Sequence, residues 1–167
     1  MKTTLLFDFM IDKSTNMVFI YREFDAELTL VWNAFTKARI LDQWWAPKPW
    51  TSKTKHMNFE VGGRRLYSMI GPDGQEHWSI QDFIAIAPLT NLKFISAVAD
   101  KDENIHKEFS SSLWNLDFSE SEFVTKVDIT IKHKTLEQLE QHLAMGFEES
   151  FTMTLNELEQ LVFNSNQ

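Results

Sequence analysis

The chain has 167 residues, no cysteine, and 24 acidic against 16 basic side chains, for a formal net charge of −8. The missing cysteine excludes disulfides, thiolate nucleophiles and cysteine metal sites. The charge argues against nucleic acid as a main partner, because phosphate binding needs a basic face. Length and a 43% apolar content suit one folded domain spanning 1–167 with its own core.

In chain order, LLFDFMI and MVFIYREF flank the polar turn DKSTN. They read as a hairpin or one long interrupted strand, so residues 1–16 are an extra strand or an arm. The apolar start mimics a short signal peptide. Asp8 interrupts it and no small-residue cleavage site follows. No apolar stretch approaches the ~18 residues of a membrane span, so no membrane role and a cytoplasmic location are the expectation. FDAELTLVWNAF reads as a helix, with Asp25 as its cap and Leu28, Val31, Trp32 and Phe35 on one face. A second short helix is expected from Lys37 to Trp44, stopped by Pro47 and Pro49.

From Thr51 to Lys134 the punctuation is that of strands. The glycine pair Gly62-Gly63, GPDG with Pro72, Pro88, the acidic loop DKDENIHKE and SESE separate the runs. In the last run Phe123, Val127, Ile129 and Ile131 share a face with Thr125. The chain then closes with one long helix, about Leu136 to Phe163. At 100° per residue its apolar stripe centres on Phe147, with Leu143, Phe151, Leu158, Leu161 and Val162 near it. Leu136, Ala144, Glu140, Ser150 and Thr154 share that face. Such a helix must bury its stripe against the sheet, which makes the chain α+β, a sheet wrapped around a helix.

Signatures of chemistry are sparse. His56, His77, His106, His133 and His142 show no ligand spacing, so no metal is expected. DKDENIHKEFSS has acids at alternate positions, but Ile105 and Ser111 stand where a calcium loop needs glycine and glutamate. There is no phosphate loop, no G-x-G-x-x-G and no nucleophile elbow, so no cofactor is expected. Glu140, Asp82, His77 and Tyr67 are the groups from which an acid–base pair could be assembled across the fold, but nothing in the sequence brings them together. The basic residues Lys48, Lys53, Lys55, Arg64 and Arg65 read as solvated strand faces.

Three segments carry a resemblance: FDAELTLVWNAFTKARILDQWWAPKPW, EVGGRRLYSMIGPDGQEHW and MGFEESFTMTLNELEQL. Together they resemble the activator-of-heat-shock-protein-90-ATPase-homologue-like family, within the START/birch-pollen-allergen superfamily of helix-grip folds. The resemblance runs from about Val18 to Val162. Two departures stand out: Ala46 where many relatives carry glycine, and EVGG without the proline that often precedes the glycine pair. The resemblance implies a curved seven-stranded antiparallel sheet gripping the C-terminal helix, two short helices after the first strand, and a cavity between sheet and helix.

With that cavity, the stretch DQWWAPKPW lies at its edge. Trp45, Trp50, Trp78 and Trp114 would enclose the body of a small apolar ligand, with Met69, Leu143, Phe147 and Phe151 beside them. Tyr67, Ser150 and Thr154 would orient its polar end. Each of these side chains also suits plain core, and the hydroxyl of Thr154 could instead bond its own helix one turn back. The leading function is therefore binding of a small apolar molecule, by a monomer or homodimer. The alternatives are contact with a heat-shock ATPase, which the family name suggests, and a cyclase- or hydrolase-type enzyme.

Overall fold

The computed structural model describes residues 4–109 and 111–165, so residues 1–3 of the expected N-terminal arm fall outside it. Strands β1 (Phe7–Asp12) and β2 (Met17–Phe24) precede helices α1 (Leu28–Thr36) and α2 (Ala38–Leu41). Then come β3 (Thr51–Met57), β4 (Arg64–Ile70), β5 (Glu76–Ala87), β6 (Asn91–Ala99), β7 (Ser112–Ser121) and β8 (Val124–His133). Helices α3 (Leu136–Ala144) and α4 (Phe147–Ser165) close the chain. The strands form one antiparallel sheet in the order β1-β2-β8-β7-β6-β5-β4-β3. The architecture is the expected helix grip, with eight strands rather than seven.

The additional strand is β1. Its pairing with β2 sets Phe7 opposite Arg22 and Phe9 opposite Ile20. Alternation therefore aims Phe7 and Phe9 at the inner face. Phe9 meets Phe147 at a centroid distance of 6.1 Å, and Phe7 lies 4.6 Å from the Arg22 guanidinium. The polar turn makes this a hairpin, and β1 adds apolar cover rather than a loose arm.

The inner face carries the core. Val18, Ile20 and Phe24 on β2, Val127, Ile129 and Ile131 on β8, and Trp114, Leu116 and Phe118 on β7 are all buried there. A smaller cluster, Leu66, Ile80, Ala97 and Ala99, lies in the opposite phase of β4–β6 with Trp78 packed on it. The acidic loop after β6 folds back over this region. Its Glu103 reaches Arg64 at 3.5 Å and His56 at 3.2 Å, and the Lys101 carbonyl accepts Lys55 Nζ at 3.1 Å.

Several local expectations are corrected. Helix α1 starts at Leu28, and Glu27 precedes it without a side-chain cap. The Leu28 N–H donates to the Glu120 carboxylate at 2.9 Å, so the end of β7 supplies an acid to the first turn of α1. Helix α2 is one turn long, ending at Leu41 rather than Trp44. Phe123 is not in β8. It sits with Glu122 at positive φ in the β7–β8 turn and is 74% exposed.

The largest correction concerns the last helix, which is two. Met145 ends α3, and Gly146 follows at φ +85° with its N–H donating to the Leu143 carbonyl at 3.0 Å. A left-handed glycine of this kind terminates a helix, a feature invisible to apolar periodicity. Across the break the buried face rotates. In α3 it is Leu139 that is fully buried, while Leu136 is exposed. In α4 the buried residues are Phe151, Thr154, Leu155, Leu158 and Val162.

Gly146→Ala tests this break. No heavy atom lies within 4 Å of where a Cβ would sit, so the cost is backbone strain alone. The substitution should destabilise the fold by about 1–2 kcal/mol in urea titration. Unchanged or increased stability would mean that α3 and α4 fuse at no cost.

Candidate functional site

The centre of the gap between sheet and α4 is filled by aromatic rings. Trp45 from the chain after α2 lies 5.7 Å from Phe151 and 5.9 Å from Trp114. Trp114 meets Phe151 at 5.4 Å and Phe147 at 6.1 Å, and stacks on Phe94 at 5.5 Å. Trp45 donates its indole N–H to the Tyr67 hydroxyl at 3.0 Å. Trp44 turns the other way and donates to the Ala34 carbonyl at 2.9 Å, locking the segment after α2 onto α1.

The expected site residues thus divide. Trp45, Tyr67, Trp114, Phe147 and Phe151 meet in this cluster, and Met69 and Leu143 pack half-buried on its margin. Thr154 is buried, and its hydroxyl donates to the Ser150 carbonyl at 3.0 Å, inside the helix. Trp78 lies with the smaller cluster, and Lys55 Nζ stands 5.9 Å from the centre of its ring. Trp50 stacks near His77 at 5.0 Å. The groups considered for acid–base work do not converge. Asp82 pairs with Arg64 at 2.6 Å, Tyr67 is held by Trp45, His77 lies against Trp50, and Glu140 is exposed.

Beyond the rings, beneath α3, lies a cavity of about 190 Å³. Trp114 forms one wall, and Ala97, Val98, Phe109 and Met145 add apolar surface. The rest is polar: Ser79, Ser96 and Ser112 from β5, β6 and β7, His133 from the end of β8, and Gln138, Gln141 and His142 from α3. Phe109 and Met145 are 37% and 67% exposed, so the cavity reaches the surface between them.

Its central feature is a histidine pair. His142 Nδ1 and His133 Nε2 are 3.1 Å apart, so one ring donates to the other. The His142 ring lies on Phe147 at 4.1 Å. Burial, with His133 as a neighbour, pushes the His142 pKa down from 6.5 to about 4, and burial also lowers that of His133. Both are neutral near pH 7. Two neutral imidazoles joined by one hydrogen bond leave one N–H and one bare nitrogen for other partners. His133 Nδ1 is buried without a protein partner, and so is Gln138 Oε1. Ser112 accepts the Trp114 indole N–H at 3.1 Å, which leaves its own O–H to donate.

The sequence reading missed this pair because its members are nine residues apart on different elements. One signal was present. The β8 alternation Val127, Ile129, Ile131 continues to His133, which places an imidazole on the apolar face. His142 could not be placed before the break at Gly146 was known.

A second depression, of about 230 Å³, lies around Asp42, Lys48, Pro49, Trp50 and Glu157. Its charges are satisfied within the protein. Lys48 meets Glu157 at 3.1 Å, and the Asp42 carboxylate accepts from Ser52 (2.9 Å) and Thr54 (2.8 Å). Asp42 also faces the fully buried Arg65 at 3.4 Å, whose guanidinium lies 4.0 Å over the Tyr67 ring. Arg65 is therefore not part of a basic surface. Among the described residues no group of three or more His, Asp or Glu could hold a metal ion, and no helix is long and apolar enough to cross a membrane.

The family described as Activator of Hsp90 ATPase homolog 1-like protein matches residues 25–162. The chain belongs to this family. A protein from Arthrobacter aurescens solved by NMR superposes with a TM-score of 0.89 at 25% identity, over 94% of this chain and 91% of that one. Protein Ms6760 from Mycobacterium smegmatis gives 0.86 at 26% identity, over 95% and 97%. CalU16 from Micromonospora echinospora shares the fold at a TM-score of 0.63 and 16% identity, over 96% and 87%. No curated protein matches the chain.

The histidine pair makes this family member's stability depend on pH. In the folded chain His142 resists protonation down to about pH 4, whereas the unfolded chain takes the proton near 6.5. Its contribution is therefore complete above pH 6.5 and is lost as pH falls from 6.5 towards 4, on the order of 3 kcal/mol at 1.36 kcal/mol per unit. Carboxylates titrate in both wild type and a His142→Gln variant. The difference between their urea-unfolding curves across this window isolates the histidine. Parallel curves would show that His142 is not held neutral.

Proposed function

We propose that the chain is a binding domain for one small molecule with an apolar body and a polar end, received in the cavity beneath α3. The observation that carries this reading is the pair of buried, unpartnered polar atoms, His133 Nδ1 and Gln138 Oε1, on residues that line it. Buried polar groups are rarely left unmatched, and each is a place for a ligand to bond. Trp114, Val98 and Phe109 supply the apolar wall. The rings of Trp45, Tyr67, Phe147 and Phe151 back that wall and keep it rigid. A space of about 190 Å³ falls below the ~300–1,000 Å³ usual for drug-sized ligands, which favours single-ring or short-chain molecules over sterols. Contact with a heat-shock ATPase is a second reading, favoured by the family description.

A melting and tryptophan-fluorescence screen across short fatty acids, aromatic acids, phenols, amides and flavonoids tests the first reading. A ligand at a hundredfold excess over its Kd should add about 2.7 kcal/mol of stability. Binding should change the emission of Trp114 and weaken up to about tenfold in Ser112→Ala. Thr154→Val should leave affinity unchanged, because that hydroxyl is already used inside α4. If nothing binds while the heat-shock ATPase is retained in a pull-down, the second reading replaces the first.

A further inference from the structure

We propose that the ligand class is the small monocarboxylic acids, held by the His133–His142 pair, with close to one proton taken from solvent for each carboxylate bound. This rests on the cavity reading above and gives it a chemistry.

Three observations carry it. First, none of the 24 acidic side chains lines the cavity, although the chain is strongly acidic overall. The walls instead present hydroxyl, amide and imidazole groups, which can all donate to a carboxylate. Ser112 is held as a donor by Trp114, because its oxygen already accepts the indole N–H. Second, the two histidines are hydrogen-bonded to one another. A proton added to this pair converts it to an imidazolium sharing its N–H with an imidazole, and both outer nitrogens then become donors. The buried His133 Nδ1 is one of the two. Third, among the described residues no lysine or arginine lines the cavity to neutralise an anion, so the counter-charge arrives as a proton.

The surroundings leave the pair as the group that responds. Glu137 and Glu140 on α3, Lys132 on β8, and Glu148 and Glu149 on α4 are exposed. On the loop before β7, His106 is engaged with Glu108 at 3.3 Å. Without ligand, burial keeps both rings neutral. A carboxylate beside them reverses the balance, since an opposite charge within ~4–6 Å favours the protonated imidazole. The proton belongs to the coupled set of two rings and one carboxyl, so it is counted for the complex and not for one atom.

Isothermal titration calorimetry with benzoate and phenylacetate is the test. It is run in two buffers of different ionisation enthalpy, with benzamide and phenylacetamide as uncharged counterparts. The expected result is uptake approaching one proton per acid, and a Kd that rises about tenfold per pH unit between pH 6.5 and 8, the slope for one proton. The amides should bind more weakly. His142→Gln removes one imidazole of the pair, so it should lose most of the pH slope together with affinity. Should that variant fail to fold, the two-buffer comparison on the wild type decides alone. Acid binding without buffer dependence, or amides binding as tightly as acids, would overturn the proton-coupled class and leave the cavity reading standing. Failure of acids and amides alike would overturn this inference, and failure of the whole ligand screen would overturn both.

Discussion

The Trp114 ring is where the two halves of the inner space meet. On one side it stacks on Phe94 and packs edge-on against Phe147 and Phe151. On the other it walls the cavity under α3, with its N–H tied to Ser112. A buried indole contributes a large apolar area and must also find an acceptor. Here the apolar partners come from β6 and α4, and the acceptor from its own strand. The aromatic cluster around it fills the centre of the gap over which α4 lies, and the cavity opens beside the rings, beneath α3. The cavity's position thus depends on how far the rings extend.

That limit is set by the break at Gly146. A continuous helix would have carried the Phe147 stripe back through Leu143 and Leu136. With the break, α3 buries Leu139 and turns His142 and Gln138 towards the sheet. The polar end of the cavity is therefore a consequence of one glycine at positive φ. His142 then lies on Phe147, the first residue of α4, so the same junction that ends the apolar plug begins the polar site.

Two buried arginines tie the remaining elements together. Arg22 on β2 reaches Asn156 at 2.7 Å and Glu159 at 3.3 Å on α4. Arg65 on β4 joins Asp42, Ser52 and Thr54 beside Tyr67 and Trp45. Burial pulls the pKa of Arg65 below its ordinary value, opposed by Tyr67 and Asp42. A guanidinium out of water is tolerable only with such partners, so these pairs specify where α4 and the segment after α2 must sit rather than adding much net stability.

Strand alternation, the turn residues and the amphipathic end of the chain were enough to read an α+β sheet wrapped around a helix from the sequence, because those patterns are local and each has a fixed period, while the helix grip itself came from the family resemblance. The same patterns marked Phe147 and Phe151 as inward residues. They could not say that Trp45 would fill the gap that an empty cavity needed, because that depends on where the loop after α2 returns. Nor could they find the histidine pair. His133 and His142 come within 3.1 Å only once β8 ends, the chain turns, and α3 is rotated by the glycine that stops it. Periodicity reports which side of an element is apolar. Which polar groups meet across elements is decided by register, helix termination and side-chain volume, and those exist only in the folded chain.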